Sequence, residues 1–543
     1  MSSILTSAMS NIRAIKILMD HTSERIVNPN YRHASQRIEI ENNVDDANAN
    51  AGVKIQQMYD EYNDFIDEER RQTSAQVQDE ETRIEEYIKL EDLLVGNIHV
   101  FNSLMNKLYS SIEENIVNHN ENVFNEEIEN NLKNIVEELQ KFNNQLNFLE
   151  NDTRNIILEK IKKANILINQ ICDLNTDIQY FSIQPAPDVV YKYITQRDQL
   201  VNELNDIIGV TVIKDDNNFE VRLNTGMCLI KNDKKINLMI LTSNTDEKYV
   251  SVGYWDKNTK KLKKMEHMIP SGSLGALLSF RREDLVNAKN KLGQLTVNFA
   301  DSINAVHTLG YDLLGNIGQQ VFSISTPKII SSSSNPSNPF VSIKWVSTRE
   351  AQETDYIISM RNHRWTVQRL YDHTTFEPEI YQNSNNTYLT FDGIELKIEG
   401  NNNEGNMYMI KPYDKTLDEL ELLIVEDSPF AFSSTNDISQ QNKNNAIIMQ
   451  NLNKEKLANE KDTLAMSYLK FLKSISYKCN DLEEKVPFKR NMIEILKNKK
   501  LSMSDDINED YQKLSYEQKC YIANVKILKM AESIFNDIID CYS

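Results

Sequence analysis

The 543-residue sequence is poor in residues that interrupt helices and in patterns that cross-link chains. It has only 14 glycines and 11 prolines, so long uninterrupted helices are expected. The histidines show no HExxH or paired spacing, and we therefore predict neither a metal site nor a cofactor. The five cysteines are scattered, odd in number and without a CxxC pair, which argues against a disulfide framework: Cys172, Cys228, Cys479, Cys520 and Cys541.

Other absences concern partners and location. The formal net charge is -20, and this shortage of basic residues argues against a general nucleic-acid binder. No apolar run approaches the roughly 20 residues of a transmembrane helix, so membrane insertion is not expected. Residues 1–10 lack the basic start and continuous apolar block of a cleavable signal. The composition by itself is that of a soluble, cytoplasmic protein.

Both ends of the chain carry a narrow apolar stripe of the kind that pairs helices. Apolar residues recur three and four positions apart, which is the spacing of a coiled-coil seam. In the last helix, predicted over 507–539, the seam has two polar positions, Gln518 and Glu532. Because such a seam needs a partner, we predict that the two ends pair and form an assembly interface. The interface residues are Leu5, Ala8, Ile12, Ile15 and Met19 in the first helix, and Tyr511, Leu514, Tyr521, Val525, Leu528, Phe535 and Ile539 in the last.

Between the ends, the hydrophobic period changes from helical to β and back. An apolar ladder from Leu132 to Ile178 predicts a helix of roughly 80 Å, ended by Pro185 and Pro187. Short β-branched runs predict a small antiparallel unit over 209–268, and alternating runs predict a larger β region over 321–432. The fold class is therefore mainly α with inserted β domains. We expect a long antiparallel helical rod whose terminal helices pair as a coiled coil, a small β unit and a larger inserted β domain.

Three local expectations complete this interpretation. A helix is expected to begin near Val53 and continue through Tyr59. Its charged middle, residues 67–83, and the acidic run that ends at Glu86 are expected to be solvated. The C-terminal helical region, which begins near Ala446, is expected to break at Pro487.

Motifs along the chain resemble those of the flagellar hook-associated protein 1 family. Residues 272–281, GSLGALLSFR, resemble the family segment G-x-L-G-G-L-L-x-F-R. The terminal segments 7–10 and 507–510 resemble the shared ends of the axial proteins. At 33–37, HASQR stands where the family has G-Y-S-R-Q. A further motif, N-x-x-H-x-x-G-x-D-L-x-G-x-x-G, is matched by Asn304, His307, Gly310, Asp312, Leu313, Gly315 and Gly318.

The resemblance implies a structural, non-enzymatic role in the bacterial flagellum. Members of the family join the hook to the filament, and they are exported unfolded through the flagellar secretion channel without a cleavable signal. The expected location is therefore the flagellum, outside the cell. The expected partners are the hook protein, a second junction protein and identical subunits that form a ring at the hook tip. We also expect an export chaperone to bind the C-terminal helix.

The resemblance also suggests how the chain divides into domains. Residues 1–40 with 505–543 would form a terminal axial coiled-coil domain. Residues 41–208 with 270–322 and 446–504 would form a helical rod domain, with the small β unit, 209–269, inserted in it. Residues 323–445 would form an inserted β domain that faces outward.

Two alternatives remain open at this point. One is another axial protein, of the hook or the distal rod. The other is a glycan-acting enzyme in the inserted β domain, which would need two carboxylates about 5–10 Å apart in a cleft. His307 near Asp312 lacks an accompanying nucleophile, so we interpret it as a residue at a helix end. The candidate carboxylates are Glu377, Glu379, Asp392 and Glu395, and a small basic-aromatic patch comprises Arg361, His363, Arg364, Trp365 and Arg369.

Overall fold

The computed structural model describes most of the chain as long helices and antiparallel sheets. The described residues are 2–27, 36–43, 52–60, 64–117, 121–182, 187–215, 218–242, 250–256, 259–332, 335–336, 339–383, 386–400, 404–424, 430–436, 442–458, 461–502 and 507–542. Some side chains near the ends of these ranges are not described.

The helices form the long axis of the molecule. They are α1 Ser2–Val27, α2 Asp64–Val117, α3 Glu121–Ser182, α4 Pro187–Ile208, α5 Gly272–Ser279, α6 Val286–His307, α7 Asn444–Asn451, α8 Leu464–Ser502 and α9 Ile507–Tyr542. With 62 residues, α3 is about 93 Å long at the usual rise per residue. Six residues of π-helix, Phe280–Leu285, join α5 to α6. The predicted helical rod and paired terminal helices are confirmed, as is the inserted position of the sheets.

The strands of the first half form three sheets. A hairpin consists of β1 Gln36–Asn43 and β2 Gly52–Asp60. The small β unit contains a four-stranded sheet, β3 Val210–Asp215, β4 Asn218–Leu223, β5 Cys228–Lys231 and β6 Lys234–Lys235. It also contains a three-stranded sheet, β7 Met239–Thr242, β8 Val250–Asp256 and β9 Lys261–Lys264. The small antiparallel unit predicted over 209–268 is confirmed.

The larger β insertion is a sandwich of two antiparallel sheets. Its strands are β10 Lys328–Ser331, β11 Phe340–Trp345, β12 Tyr356–Arg361, β13 Arg364–Arg369, β14 Thr375–Phe376, β15 Glu379–Asn383, β16 Asn386–Phe391, β17 Ile394–Glu399 and β18 Met407–Lys411. One sheet has the order β10-β18-β12-β13-β14 and the other β11-β17-β16-β15. Alternate residues of both sheets, among them Tyr356, Leu389 and Ile398, share one core.

The expected helix at Val53 is wrong, because residues 52–60 are the strand β2. It pairs antiparallel with β1 from Asn43↔Gly52 to Gln36↔Asp60, with a bulge between Glu39 and Ile40. Short apolar runs do not distinguish a strand from the start of a helix. The hydrogen bonds to β1 decide between the two structures, and α2 begins only at Asp64.

The expected break at Pro487 is also wrong, because α8 continues through this residue. Proline lacks the N–H that would bond to the carbonyl of Glu483. Both Pro487 and Glu483 are exposed, so water can bind that carbonyl. On either side, Val486 is buried and Lys489 Nζ lies 2.7 Å from Glu80 Oε1 on α2, which holds the two halves of α8 in line.

The acidic part of α2 is mostly buried or half-buried rather than solvated. Asp67 and Glu86 are only 3% and 2% exposed. Burial raises the pKa of Asp79 to about 6, although Arg83 Nε lies 3.1 Å from its carboxylate. Thr153 of α3 donates a 3.1 Å hydrogen bond to Glu86. The prediction failed because it counted charge without the neighbouring helices that supply partners to these carboxylates.

A polar layer attaches the β insertion to α6. Asn290 donates a 3.1 Å hydrogen bond to Asp355, and Lys291 pairs with Glu353. Gln294, which is fully buried, donates a 2.6 Å hydrogen bond to the carbonyl of Ala351. Burial is the main reason that the pKa of Asp355 is raised to about 6.

We predict that Asp355→Asn removes a pH dependence of folding. The pKa of this carboxyl rises from 3.8 to about 6 on folding, so its contribution to stability is fully present below pH 3.8 and is lost as the pH rises through 6. The variant should gain up to about 3 kcal/mol over the wild type at about pH 8 and almost nothing at about pH 4. Fluorescence of Trp345 and Trp365 during urea unfolding measures the difference. The exposed control Glu379→Gln should show no such trend, and a pH-independent difference for Asp355→Asn would contradict the prediction.

Candidate assembly surface

The two terminal helices, α1 and α9, pack along each other. Thr22, near the end of α1, donates a 3.2 Å hydrogen bond to Glu517, in the third turn of α9. Half-buried positions continue along α9 as far as Leu528. If α1 runs antiparallel to α9, the earlier residues of α1 cover these later positions of α9. The ends of the chain therefore form a pair of antiparallel helices, and α1 also contacts β2.

The predicted interface residues of α1 are buried or half-buried wherever their side chains are described. Ala8 is 3% exposed, and Ile12, Ile15 and Met19 are half-buried. Leu5 lies in the helix, but its side chain is outside the described part of the chain. The stripe read from the sequence is therefore the inner side of α1 wherever its side chains are described.

In α9 the face that packs on α1 is rotated from the one predicted. Tyr511 is 55% exposed, and Gln518 is exposed as well. Glu517 and Asn524 take part instead, which makes the inner face more polar than expected. Of the other predicted residues, Leu514, Tyr521, Val525 and Leu528 are half-buried, and the side chains of Phe535 and Ile539 are outside the described residues.

The outer side of α9 carries further apolar residues that α1 does not cover. Tyr516, Ile522 and Met530 are 70%, 54% and 66% exposed, and Ile527 is 44% exposed. None of the side chains described between 511 and 530 is fully buried. This second face was not predicted from the sequence, although Tyr516, Ile527 and Met530 recur at helical spacing. The pair therefore has apolar surface available for further helices.

His307, the last residue of α6, acts as a structural link. Its Nε2 accepts a 3.1 Å hydrogen bond from the N–H of Ala431, so the proton resides on Nδ1, 2.6 Å from the carbonyl of Gln319. Burial lowers the pKa of His307, which favours this neutral form. Asp312 instead accepts hydrogen bonds from the N–H groups of Leu314 and Asn316 in its own turn, both at 2.8 Å.

The basic-aromatic patch does not form as a unit. Trp365 is only 3% exposed and packs against Tyr408 in the sandwich core, with ring centroids 6.3 Å apart. Arg369 Nη2 lies 2.6 Å from Asp392, to which Tyr356 also donates a hydrogen bond. What remains exposed at the turn is Arg361, His363 and Arg364 without an aromatic face, and Arg364 is itself paired with Glu377.

The other candidate carboxylates lie on surface strands or, for Glu377, in the link between β14 and β15. Glu395 is 2.8 Å from Lys344, its neighbour across β11 and β17. Glu377 is 3.2 Å from Arg364, and Glu379 is exposed on β15. Among the described residues, no group of three His, Cys, Asp or Glu side chains is placed to hold a metal ion. The described cysteines are free thiols: Cys172, Cys228, Cys479 and Cys520. No described helix is long and apolar enough to cross a membrane.

Comparison with known proteins agrees with this architecture. A family profile described as the flagellar hook-associated protein FlgK helical domain matches residues 87–322, and one described as flagellar hook-associated protein 1, D2-like domain, matches 330–412. A solved structure described as the flagellar hook junction protein FlgK from Burkholderia pseudomallei has the same fold, with a TM-score of 0.70 at 16% identity over 80% of this chain and 100% of that one.

Two curated relatives are similar over their full length. Flagellar hook-associated protein 1 of Buchnera aphidicola subsp. Schizaphis graminum is 63% identical over 544 residues, which is 100% of both chains. The Escherichia coli protein of the same name is 25% identical over 553 residues, covering 99% of this chain and 100% of the relative. These matches place the molecule among the hook-associated structural proteins of the bacterial flagellum. The chain belongs to the flagellar hook-associated protein 1 family.

Proposed function

We propose that this chain is a structural subunit of the bacterial flagellum that joins the hook to the filament. It assembles as a ring of identical subunits at the hook tip, where it contacts the hook protein and a second junction protein. The observation that carries the proposal is the pair of α1 and α9, whose described side chains leave apolar residues exposed on the outer side. The names of the full-length relatives support the same role.

The assembly surface in this proposal consists of the terminal stripes. Ala8, Ile12, Ile15 and Met19 lie buried or half-buried on the inner side of α1, while Tyr511, Ile527 and Met530 remain available for neighbouring subunits. The domain division given from the sequence belongs to the same proposal, with the coiled-coil ends inside the tube and the β insertion facing outward. A hook or distal-rod protein is the weaker alternative, because the full-length relatives are hook-associated proteins.

The proposed role is non-enzymatic. The alternative, a glycan-acting enzyme, would need free carboxylates in the β insertion. Asp392 and Glu395 are instead each held in an ion pair with a neighbouring cation. An assay of the full-length chain for release of reducing sugars from peptidoglycan tests this part. Hydrolysis that Asp392→Asn or Glu395→Gln abolishes would favour the enzyme.

Electron microscopy of isolated hook–basal bodies tests the location. A small epitope inserted between Asn362 and His363, in the exposed turn that joins β12 to β13, leaves both sheets paired and can be labelled with gold. We expect label at the junction of hook and filament. Label distributed along the hook or rod would favour the other axial proteins, and absence of label from isolated flagella would contradict the proposal.

An export chaperone is the further partner that we propose. The exposed apolar side of α9 needs cover before the subunit reaches the hook, and Ile522, Ile527 and Met530 are the side chains concerned. Export through the flagellar channel then delivers the subunit to the outside without a cleavable signal. We expect a chaperone to co-purify with the full-length chain but not with residues 1–506. Equal recovery with both would count against it.

A further inference from the structure

The outer face of α8 carries a straight apolar stripe. Met466, Tyr477 and Phe488 are 49%, 72% and 72% exposed and recur every eleven residues. Eleven residues turn a helix by about 20° beyond three full turns, so these side chains lie almost in line. The opposite face packs on α2, where the hydroxyl of Tyr468 donates a 2.9 Å hydrogen bond to the carbonyl of Leu94. The α8 stripe is Met466, Leu469, Tyr477, Phe488 and Ile495.

The charge of α8 is opposite to that of the chain as a whole. This helix has nine lysines and arginines against four aspartates and glutamates, whereas the whole chain has a net charge of -20. Lys473 is exposed within the α8 stripe, one turn before Tyr477. Among the described residues it has no ion-pair partner. A second copy of this acidic chain is therefore a partner of complementary charge.

An apolar groove of about 660 Å³ lies between α2 and α3. Its walls include Leu93, Val100 and Phe148, of which Phe148 is 75% exposed, and the exposed carboxylate of Asp92 lies at its rim. Gly96 lies in the lining as well. Its neighbours do not require glycine, since a Cβ at this position would meet no atom within 4 Å. Glycine inside a helix costs about 1 kcal/mol relative to alanine. Close approach by another molecule would account for a residue without a side chain here.

The groove and the α8 stripe lie on opposite sides of α2 at the same height. Glu91 and Leu94 contact α8 through Ser476 and Tyr468. Gly96 is turned by about 140–160° from those two positions but lies only about 3 Å beyond Leu94 along the axis. Two copies side by side, at equal height, therefore bring the stripe of one against the groove of the next. Such a head-to-tail contact leaves a stripe and a groove free at the ends until a ring closes.

We propose that the α8 stripe of one copy docks in the α2–α3 groove of the next, with Lys473 of the first copy facing Asp92 of the second. This rests on the proposed ring of identical subunits and identifies its lateral contact. The occupant of the groove is a second copy of the chain. The docking is led by Tyr477 and by Leu469, on either side of the lysine.

The test uses full-length chains expressed in the flagellated cell, with occupancy of hook tips counted by electron microscopy. Lys473→Glu and Asp92→Lys should each reduce occupancy at least about tenfold, because each brings like charges together in the contact. The double variant should restore occupancy to within about twofold. Gly96→Leu should also prevent docking, since Gly96 lines the groove and a Cβ at this position meets no atom of its own chain, so the larger side chain can extend into the groove. Lys497→Glu, exposed on another side of α8, is the matched control and should assemble normally.

A photo-crosslinking residue at position 477 maps the contact directly. We expect cross-links to residues 89–100 or 138–152 of another copy. If the wild type occupies hook tips but the charge variants do so equally well, or the cross-links map elsewhere, the lateral contact is wrong and the proposed function stands. If the wild type does not occupy hook tips, both fail. Circular dichroism of the purified variants verifies that each is folded.

Discussion

Removal of residues 511–543 is expected to abolish assembly at the hook tip while the remainder of the chain stays folded. The described side chains of α9 from 511 to 530 are exposed or half-buried, so their loss opens no cavity in the main core. What disappears is the partner of α1 and the outer apolar side of the pair. Hook-tip occupancy should fall below detection, whereas the helical signal in circular dichroism should fall only by the share of α9 and the paired part of α1.

A pair of finer variants separates the two faces of α9. Ile527→Ser with Met530→Ser changes only exposed side chains, so α1 and α9 should still pair but assembly should fall at least about tenfold. The matched control, Lys519→Ser with Lys526→Ser, changes exposed polar positions of the same helix and should assemble normally. Full assembly of the truncated chain would refute the role given to α9.

Gly272→Ala is expected to destabilise the helical part of the chain by roughly 3–5 kcal/mol. Gly272 begins α5 with a φ of +77°, in the left-handed region that side chains rarely adopt. A Cβ there would also lie 2.6 Å from the carbonyl carbon and oxygen of Ile207, at the end of α4. Because these atoms are backbone, relief requires α4 and α5 to separate. Urea unfolding followed by circular dichroism measures the change.

The control for this substitution is Gly96→Ala. Gly96 has ordinary helical geometry and open space where the methyl group would go, so the same chemical change should stabilise α2 by about 0.5–1 kcal/mol. Opposite signs at the two glycines would show that local backbone geometry, and not the added methyl group, decides the outcome. A Gly272→Ala chain as stable as the wild type would show that α4 and α5 tolerate separation.

The sequence predicted those features that depend on periodicity within one segment. Leu132 and the apolar residues that follow it show the helical period of α3, and the alternation from Phe340 to Trp345 shows a strand. The burial of Asp79 and Glu86 could not be read in the same way. It depends on Arg83 within α2 and on Thr153 of α3, and a pattern counted along one helix does not show which charges meet partners across helices.

The pairing of α1 with α9 was predictable in kind but not in orientation. Three–four spacing in α9 fits a ladder through Tyr511 and Gln518, and it also fits one through Glu517 and Asn524. Apolar content favours the first ladder, yet the structure turns the second towards α1. The choice depends on what else the helix must face, and in the proposed assembly the apolar side chains on its outer side contact other subunits.

The β insertion leaves the rod and returns to it through neighbouring strands, since Lys328 of β10 is paired with Lys411 of β18. Such partners lie about 5 Å apart, so one tight turn could join them in place of the whole sandwich. The face of α6 thereby uncovered offers Asn290, Lys291 and Gln294, all of which water can solvate. The insertion can therefore be enlarged, shortened or replaced, by evolution or by protein engineering, without a change in the structure of the helices that carry it.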